Sequence, residues 1–329
     1  MRLPSLDGVR AARDLLRPYL APTPLVRSEA LSRAFGAEIL LKNETVSPVA
    51  SFKLRGALVE LLRARESAPG EPLRGAATSS TGNHGQGVAC AARLLRIAAH
   101  VFLPVGANRT KRAMIAAFGA TIHDGGRDID EAKAAARAYA AQERLVFVDD
   151  GEGLGVMEGG GTVGLEIAEA MGERPLDALY VPMGSGSLAA GCGAAAEALR
   201  PFVRVVAAQA KGSPAMVESF RARRPIEREI DTVADGLVCR VPAELALAGL
   251  LAFVDDAVLA TDEELLSGVR TLAEEAHVLV EPSGAAGLVA AWRDRFRLAG
   301  KSAAIVLTGS NVTIETLRRA LDGPPLLDD

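Results

Sequence analysis

The rhythm of this chain constrains its fold more than any single residue does. Short β-branched runs alternate with Ala- and Leu-rich stretches almost throughout. Residues 38–42, 75–78, 97–103, 121–123, 145–148, 178–182, 203–208 and 305–307 read as strands. Residues 55–65, 83–95, 108–118, 128–142 and 188–199 read as the helices between them. Strands separated by helices pair in parallel, and helices then cover both sheet faces. The expectation is an α/β protein with parallel sheets. The rhythm is densest between about 75 and 148, which marks a compact module set into a larger one.

Composition narrows the function classes. The 329 residues are 49% hydrophobic and 24% charged, a globular balance with length for two domains or one large α/β unit. Net charge is −4, which argues against a nucleic-acid or anionic-membrane surface. No stretch reads as a membrane span, and the start lacks the apolar run of a signal peptide. Cys90, Cys192 and Cys239 are widely spaced, so neither a disulfide framework nor a zinc site is expected, and a reducing cytoplasm suits them. The chain ends soon after the last strand, so no further regulatory domain is expected.

Four stretches carry chemistry. The first is Ser51-Phe52-Lys53, just ahead of a helix. A lysine beside a bulky aromatic at a helix start can lose its proton and add to an aldehyde. A lysine on a solvated helix face is the plain alternative. The second is Ser79-Ser80-Thr81-Gly82-Asn83-His84-Gly85-Gln86-Gly87, between a strand and a helix. Unpaired N–H groups at that helix start suit a carboxylate, and Ser80, Thr81 and Asn83 add donors. An ordinary N-cap and turn uses the same residue types.

The third is Val181-Pro182-Met183-Gly184-Ser185-Gly186-Ser187-Leu188, again a strand running into a helix. Glycines let successive N–H groups face one anion, and a phosphate is the natural occupant. A dinucleotide site would need G-x-G-x-x-G and an acid closing the next strand. Here the glycines fall at 184, 186 and 191, and the next strand closes at Gln209. The fourth is Thr308-Gly309-Ser310-Asn311, a polar turn after a buried strand, where Thr308 can hydrogen-bond a ring nitrogen without charging it. Lys42, Lys111 and Lys211 lack such surroundings and read as solvated. His100, His123 and His277 read as structural or surface residues.

Together these stretches resemble the fold-type II pyridoxal-phosphate enzymes (tryptophan synthase β-like), and among them the threonine/serine dehydratases and serine racemases. The resemblance runs from Thr23-Pro24-Leu25 to Asn311 and includes Gly161-Thr162-Val163-Gly164-Leu165-Glu166, Ala234-Asp235-Gly236 and Glu281-Pro282-Ser283-Gly284-Ala285-Ala286-Gly287. It implies two parallel-sheet α/β domains with pyridoxal 5'-phosphate in the cleft between them. Residues 75–148 would form a small mobile domain, and 1–74 with 149–329 the large one. Lys53 would hold the cofactor covalently and later move the substrate's α-proton. Phe52 would pack beside the ring, Asn83 bond its hydroxyl oxygen, and Thr308 face its nitrogen. Gly184, Ser185, Gly186, Ser187 and Leu188 would cradle the phosphate. Ser80, Thr81, Gly82 and His84 would line the substrate-carboxylate pocket.

The implied activity is β-elimination of a β-hydroxy amino acid, such as L-threonine or L-serine, to a 2-oxo acid and ammonia, in a cytoplasmic homodimer. Racemases of the group carry a serine where Thr81 stands, so Thr81 as a second catalytic base keeps racemisation open. A nucleotide-binding module without the cofactor is the alternative from another class.

Two departures stand out. Dehydratases usually carry a Pro-Phe pair where this chain has Asp150-Gly151, and Ala-Gly-Gln-Gly-Thr where it has Glu158-Gly159-Gly160-Gly161-Thr162. The lost bulk could widen the pocket and let Glu158 contact a polar substrate group, or the stretch is a variant loop. Acids that hold a metal in some members are missing after Ala208, so no bound divalent cation is expected.

Overall fold

Two sheets, each built mainly of parallel strands, carry the chain. The structure is a computed structural model describing residues 1–107 and 109–328, with only the main chain of Thr110, Lys111 and Asp328. The strands are β1 (Leu25–Arg27), β2 (Glu38–Asn43), β3 (Gly75–Ser79), β4 (Ala98–Leu103), β5 (Thr121–Asp124), β6 (Val146–Phe147), β7 (Ala178–Pro182), β8 (Arg204–Ala210), β9 (Asp256–Ala260) and β10 (Ser302–Leu307). The helices are α1 (Leu6–Leu16), α2 (Glu29–Phe35), α3 (Lys53–Ser67), α4 (Asn83–Leu95), α5 (Arg109–Ala117), α6 (Ile129–Glu143), α7 (Leu154–Met171), α8 (Ser187–Leu199), α9 (Ala215–Ala222), α10 (Glu244–Phe253), α11 (Asp262–Glu275), α12 (Pro282–Arg293), α13 (Arg295–Leu298) and α14 (Ile314–Asp322). Asn108, expected to open a helix, and the Lys111 side chain lie outside the described residues.

The six-stranded sheet has the order β1-β2-β10-β7-β8-β9, and the four-stranded sheet β5-β4-β3-β6. All four strands of the second sheet come from the dense stretch. Only the short edge strand β1 runs antiparallel, pairing Leu25 with Lys42. The last strand, β10, inserts between β2 and β7, with Leu307 opposite Asn43. The loops leaving β2, β10 and β7 therefore emerge along one edge of the sheet, the usual place for a site in such folds.

The strands bury both faces. Ile39, Leu41, Tyr180, Val206, Ile305 and Leu307 enter one core. Their neighbours Leu40, Leu179, Val181, Val205 and Val306 enter another on the opposite face. The period-two alternation of side chains thus fills two apolar layers at once, which is why these strands read as unbroken apolar runs. Among the described residues no helix is long and apolar enough to cross a membrane.

Two expectations from the sequence are corrected. The stretch 154–162 is not a loop but the first half of α7. Glu158 points away from the cleft. Its side chain is 1% exposed, pairs with Arg63 at 2.5 Å and accepts from the Ser5 N–H at 3.3 Å. The three glycines suggested a loop because glycine lowers helix propensity. Tertiary packing overrides that: a Cβ on Gly159 would lie 2.7 Å from Gly56 Cα, and one on Gly161 2.8 Å from the Gly191 carbonyl. The glycines let α7 lie close against α3 and α8.

Lys42 is likewise not solvated. It is 1% exposed, with Nζ 2.5 Å from Glu166 and 2.7 Å from the Thr23 carbonyl. Arg55 lies beside it, bonding Glu44 at 2.8 Å and Glu166 at 2.5 Å. Desolvation opposes the charge on Arg55, but Glu44 and Glu166 more than reverse it and its pKa is raised. The network ties β2, α3 and α7 together beneath the cleft.

Candidate active site

Lys53 owes its place to the turn before it. Ala50 adopts a left-handed conformation, φ 51°, unusual for a residue with a Cβ. Its carbonyl accepts from Ser310 N–H at 2.9 Å, Ser51 bridges to Gly309, and the Phe52 N–H donates to the Thr308 carbonyl at 3.1 Å. The turn after β2 is thereby stitched to the turn after β10, and α3 starts at Lys53 itself. Strain held at such a position is common at functional sites. From the other side α4 presses directly on the lysine: a Cβ on Gly87 would lie 2.9 Å from the Lys53 carbonyl carbon.

The Lys53 side chain is 12% exposed. Its Nζ lies 4.9 Å from the Phe52 ring centroid and 2.5 Å from Asp150 Oδ1. One narrow cleft is lined by Phe52, Lys53, Asn83, Gly184, Ser185, Gly186, Leu188 and Thr308. These are eight of the residues singled out from the sequence. Pro182, Gly236, Leu237, Glu281 and Ser283 complete the lining.

Asn83 is fixed on both sides. Its Oδ1 accepts from Asn311 at 2.6 Å, and its Nδ2 donates to Glu281 at 2.6 Å, leaving one amide hydrogen for a further acceptor. Ser80 Oγ accepts from the Gly82 N–H at 3.2 Å, and α4 opens at Asn83 with no side chain capping its N–H groups. Thr81 is half-buried beside them.

The loop after β7 has the shape an anion needs. Gly184 has no room for a Cβ, which would lie 2.5 Å from the Gly236 carbonyl. Gly186 is left-handed, φ 94°, and α8 then begins at Ser187 with no side-chain cap. Uncapped first-turn N–H groups carry the positive end of the helix dipole. Ser185 and Ser187 donate their hydroxyls to the Asp150 carbonyl, so both face the same space.

His84 does not turn toward the α4 N-terminus. Its Nε2 lies 3.1 Å from the Val148 carbonyl, and its Nδ1 3.6 Å from Asp150 Oδ1. Burial pushes its pKa down, with Asp150 opposing. Desolvation also opposes the Asp150 charge, but Lys53 outweighs it and brings that carboxyl down to about 2.

Sequence reading missed Asp150 as the partner of Lys53, and Glu281 as the anchor of Asn83. The substitution at Asp150-Gly151 was the available signal for the first. Glu281 lay in a recognised motif, but its role depends on α12 facing α4, which no local pattern encodes.

A covalent-capable lysine beside an aromatic, an uncapped helix behind a glycine turn, and a hydroxyl at the far end of the cleft define a class: enzymes that hold a phosphate-bearing aldehyde cofactor between two parallel sheets. The comparisons agree. A family model described as pyridoxal-phosphate dependent enzyme matches residues 16–309. The chain is 33% identical to an L-threonine ammonia-lyase of Thermotoga maritima over 319 residues, 97% of this chain and 78% of the relative. It is 30% identical to an L-threo-3-hydroxyaspartate ammonia-lyase of Saccharomyces cerevisiae, covering 98% of each. The structure superposes on maize serine racemase with a TM-score of 0.89 at 29% identity, covering 97% of each chain. The protein belongs to the pyridoxal-phosphate dependent enzyme family, and its cofactor is pyridoxal 5'-phosphate.

Proposed function

We propose that the protein is an ammonia-lyase that eliminates the β-substituent of an amino acid, L-threonine and L-serine in the first instance, to give a 2-oxo acid and ammonia. The observation that carries this reading is the position of Lys53 Nζ, in a cleft whose other linings include Gly184, Ser185, Gly186, Leu188 and Thr308. The names of the relatives point the same way.

In this reading the N–H groups at the start of α8, with the Ser185 and Ser187 hydroxyls, hold the cofactor phosphate. Phe52 would cover the ring, the spare Asn83 N–H would meet its oxygen, and Thr308 would face its nitrogen. Bound pyridoxal phosphate supplies a conjugated ring that takes up the electron pair released when the α-proton leaves. A neutral hydroxyl at Thr308, not a carboxylate, would leave that nitrogen largely unprotonated, which would favour expulsion of the β-substituent. Ser80, Thr81, Gly82 and the uncapped α4 N–H groups take the substrate carboxylate, with His84 behind them. The Lys53 amine removes the α-proton. Closure of the 75–148 domain over the 1–74 and 149–329 domain keeps water out. The three unpaired cysteines suit a cytoplasmic location, and a homodimer belongs to the same proposal.

Lys53→Ala is expected to remove the visible absorption of the lysine-linked cofactor and to lower turnover by at least about 10²–10⁴-fold. Turnover retained in that variant would end the reading. Chiral analysis of L-serine after incubation separates elimination from racemisation through Thr81. D-serine outpacing 2-oxo acid would favour the racemase.

A further inference from the structure

Elimination of a hydroxyl does not call for the carboxylate that stands against Lys53. Asp150 Oδ1 lies 2.5 Å from Lys53 Nζ and 3.6 Å from His84 Nδ1. The other nitrogen of His84 faces the Val148 carbonyl, which can only accept. Nε2 therefore carries the proton, and Nδ1 of the neutral ring is a bare acceptor. It is buried, and among the described residues no donor reaches it. A buried acceptor without a donor is costly. A carboxylate oxygen and an imidazole lone pair thus face each other; among the described residues the donors beside the carboxylate are the Lys53 nitrogen and the Ser185 hydroxyl, and none reaches the imidazole nitrogen. The Asp150 side chain is 32% exposed. When the Lys53 nitrogen turns to the cofactor or to the substrate's α-carbon, the pair needs another donor, and a cationic one satisfies it best.

We propose that Asp150 Oδ1 and His84 Nδ1 form a subsite for an ammonium group on the substrate's β-carbon, making amino acids with a β-amino substituent the preferred substrates. This rests on the β-elimination reading and specifies its substrate class. The chemistry balances. The Cα–H bond yields its proton to Lys53, the electron pair moves toward Cβ, and the Cβ–N bond breaks with nitrogen leaving as neutral ammonia. Water then releases the α-nitrogen, so 2,3-diaminopropionate plus water gives pyruvate plus two ammonia. An ammonium group departs as a neutral molecule without being handed a proton, whereas a hydroxyl must receive one.

The test uses the holoenzyme and its Asp150→Asn variant. We expect the wild type to release 2-oxo acid with higher kcat/KM from L-2,3-diaminopropionate than from L-serine, and the variant to lower that ratio about 10–100-fold. A second readout is binding, followed by the cofactor absorption shift. L-2,4-diaminobutyrate, which has no β leaving group, should bind the wild type more tightly than L-norvaline, and Asp150→Asn should erase the difference. An unchanged ratio in the variant would mean that Asp150 serves Lys53 alone, and would overturn the subsite. Turnover of serine with no preference for the amine would also overturn it while leaving the elimination reading intact. If neither amino acid yields a 2-oxo acid, both fall.

Discussion

Lys42 and Lys53 lie either side of one strand-to-helix connection, and each meets a carboxylate at 2.5 Å. Lys42 is sealed in. It is 1% exposed, its partner Glu166 is 9% exposed, and Glu166 is shared with an arginine that also binds Glu44. Every charge there has an opposite, and the group has nothing left to offer a ligand. Lys53 stands beside a half-open aspartate, a bare imidazole nitrogen and an uncapped helix. The pair distance is the same in both places. What separates scaffold from site is how completely the surrounding donors and acceptors are matched, a property of neighbours and not of residue type.

That contrast can be broken by experiment. Arg55→Met should give the largest loss of stability, about 3–5 kcal/mol, because it leaves Glu44 and Glu166 buried with one cation fewer. Denaturant unfolding measures it. Lys53→Met should cost far less stability yet remove the cofactor link. A severe loss of stability in Lys53→Met, or none in Arg55→Met, would erase the distinction between the two lysines.

Gly87→Ala should cost about 1–3 kcal/mol, since the new methyl meets the Lys53 main chain and must push α4 off α3. The comparison is sharpened if kcat falls more than stability predicts, because the displaced group is the lysine proposed to react. Thermal unfolding and steady-state kinetics on one preparation decide this.

The smallest effect concerns acid. Desolvation raises the Glu166 pKa, but Arg55 and Lys42 outweigh it, and the net shift is below the ordinary 4.5. A carboxyl depressed in the fold contributes stability that is complete above its unfolded pKa and fades as pH falls through the folded value. The stability gap between wild type and Glu166→Gln should therefore be constant above pH 4.5 and shrink below it. A gap that widened on acidification would assign Glu166 the wrong sign.

Much of this was legible in the chain. The sheets and their parallel pairing followed from runs such as 178–182, and α4 spans the predicted residues. Of the cleft lining, Lys53, Phe52, Asn83, Thr308 and Gly184, Ser185, Gly186 and Leu188 were singled out from the chain because strand-to-helix junctions carry local signatures of glycine, serine and asparagine. Lys42 and Glu158 were misread because burial of a charge is decided by distant partners, here Glu166 and Arg63. The helix across 154–171 was missed because its glycines answer to α3 and α8, not to their own backbone.

By itself, then, the amino-acid order determined the layered α/β architecture and the junction loops, since each depends on periodicity or on residues adjacent in the chain, and the class of cofactor followed from the family that those loops resemble. Only the tertiary structure decided which lysine is walled off, that Asp150 stands against Lys53, and that His84 turns a lone pair toward it. Those facts arise where β6, α3 and α4 converge, and charge compensation across such a junction is set by packing that no local stretch of sequence contains.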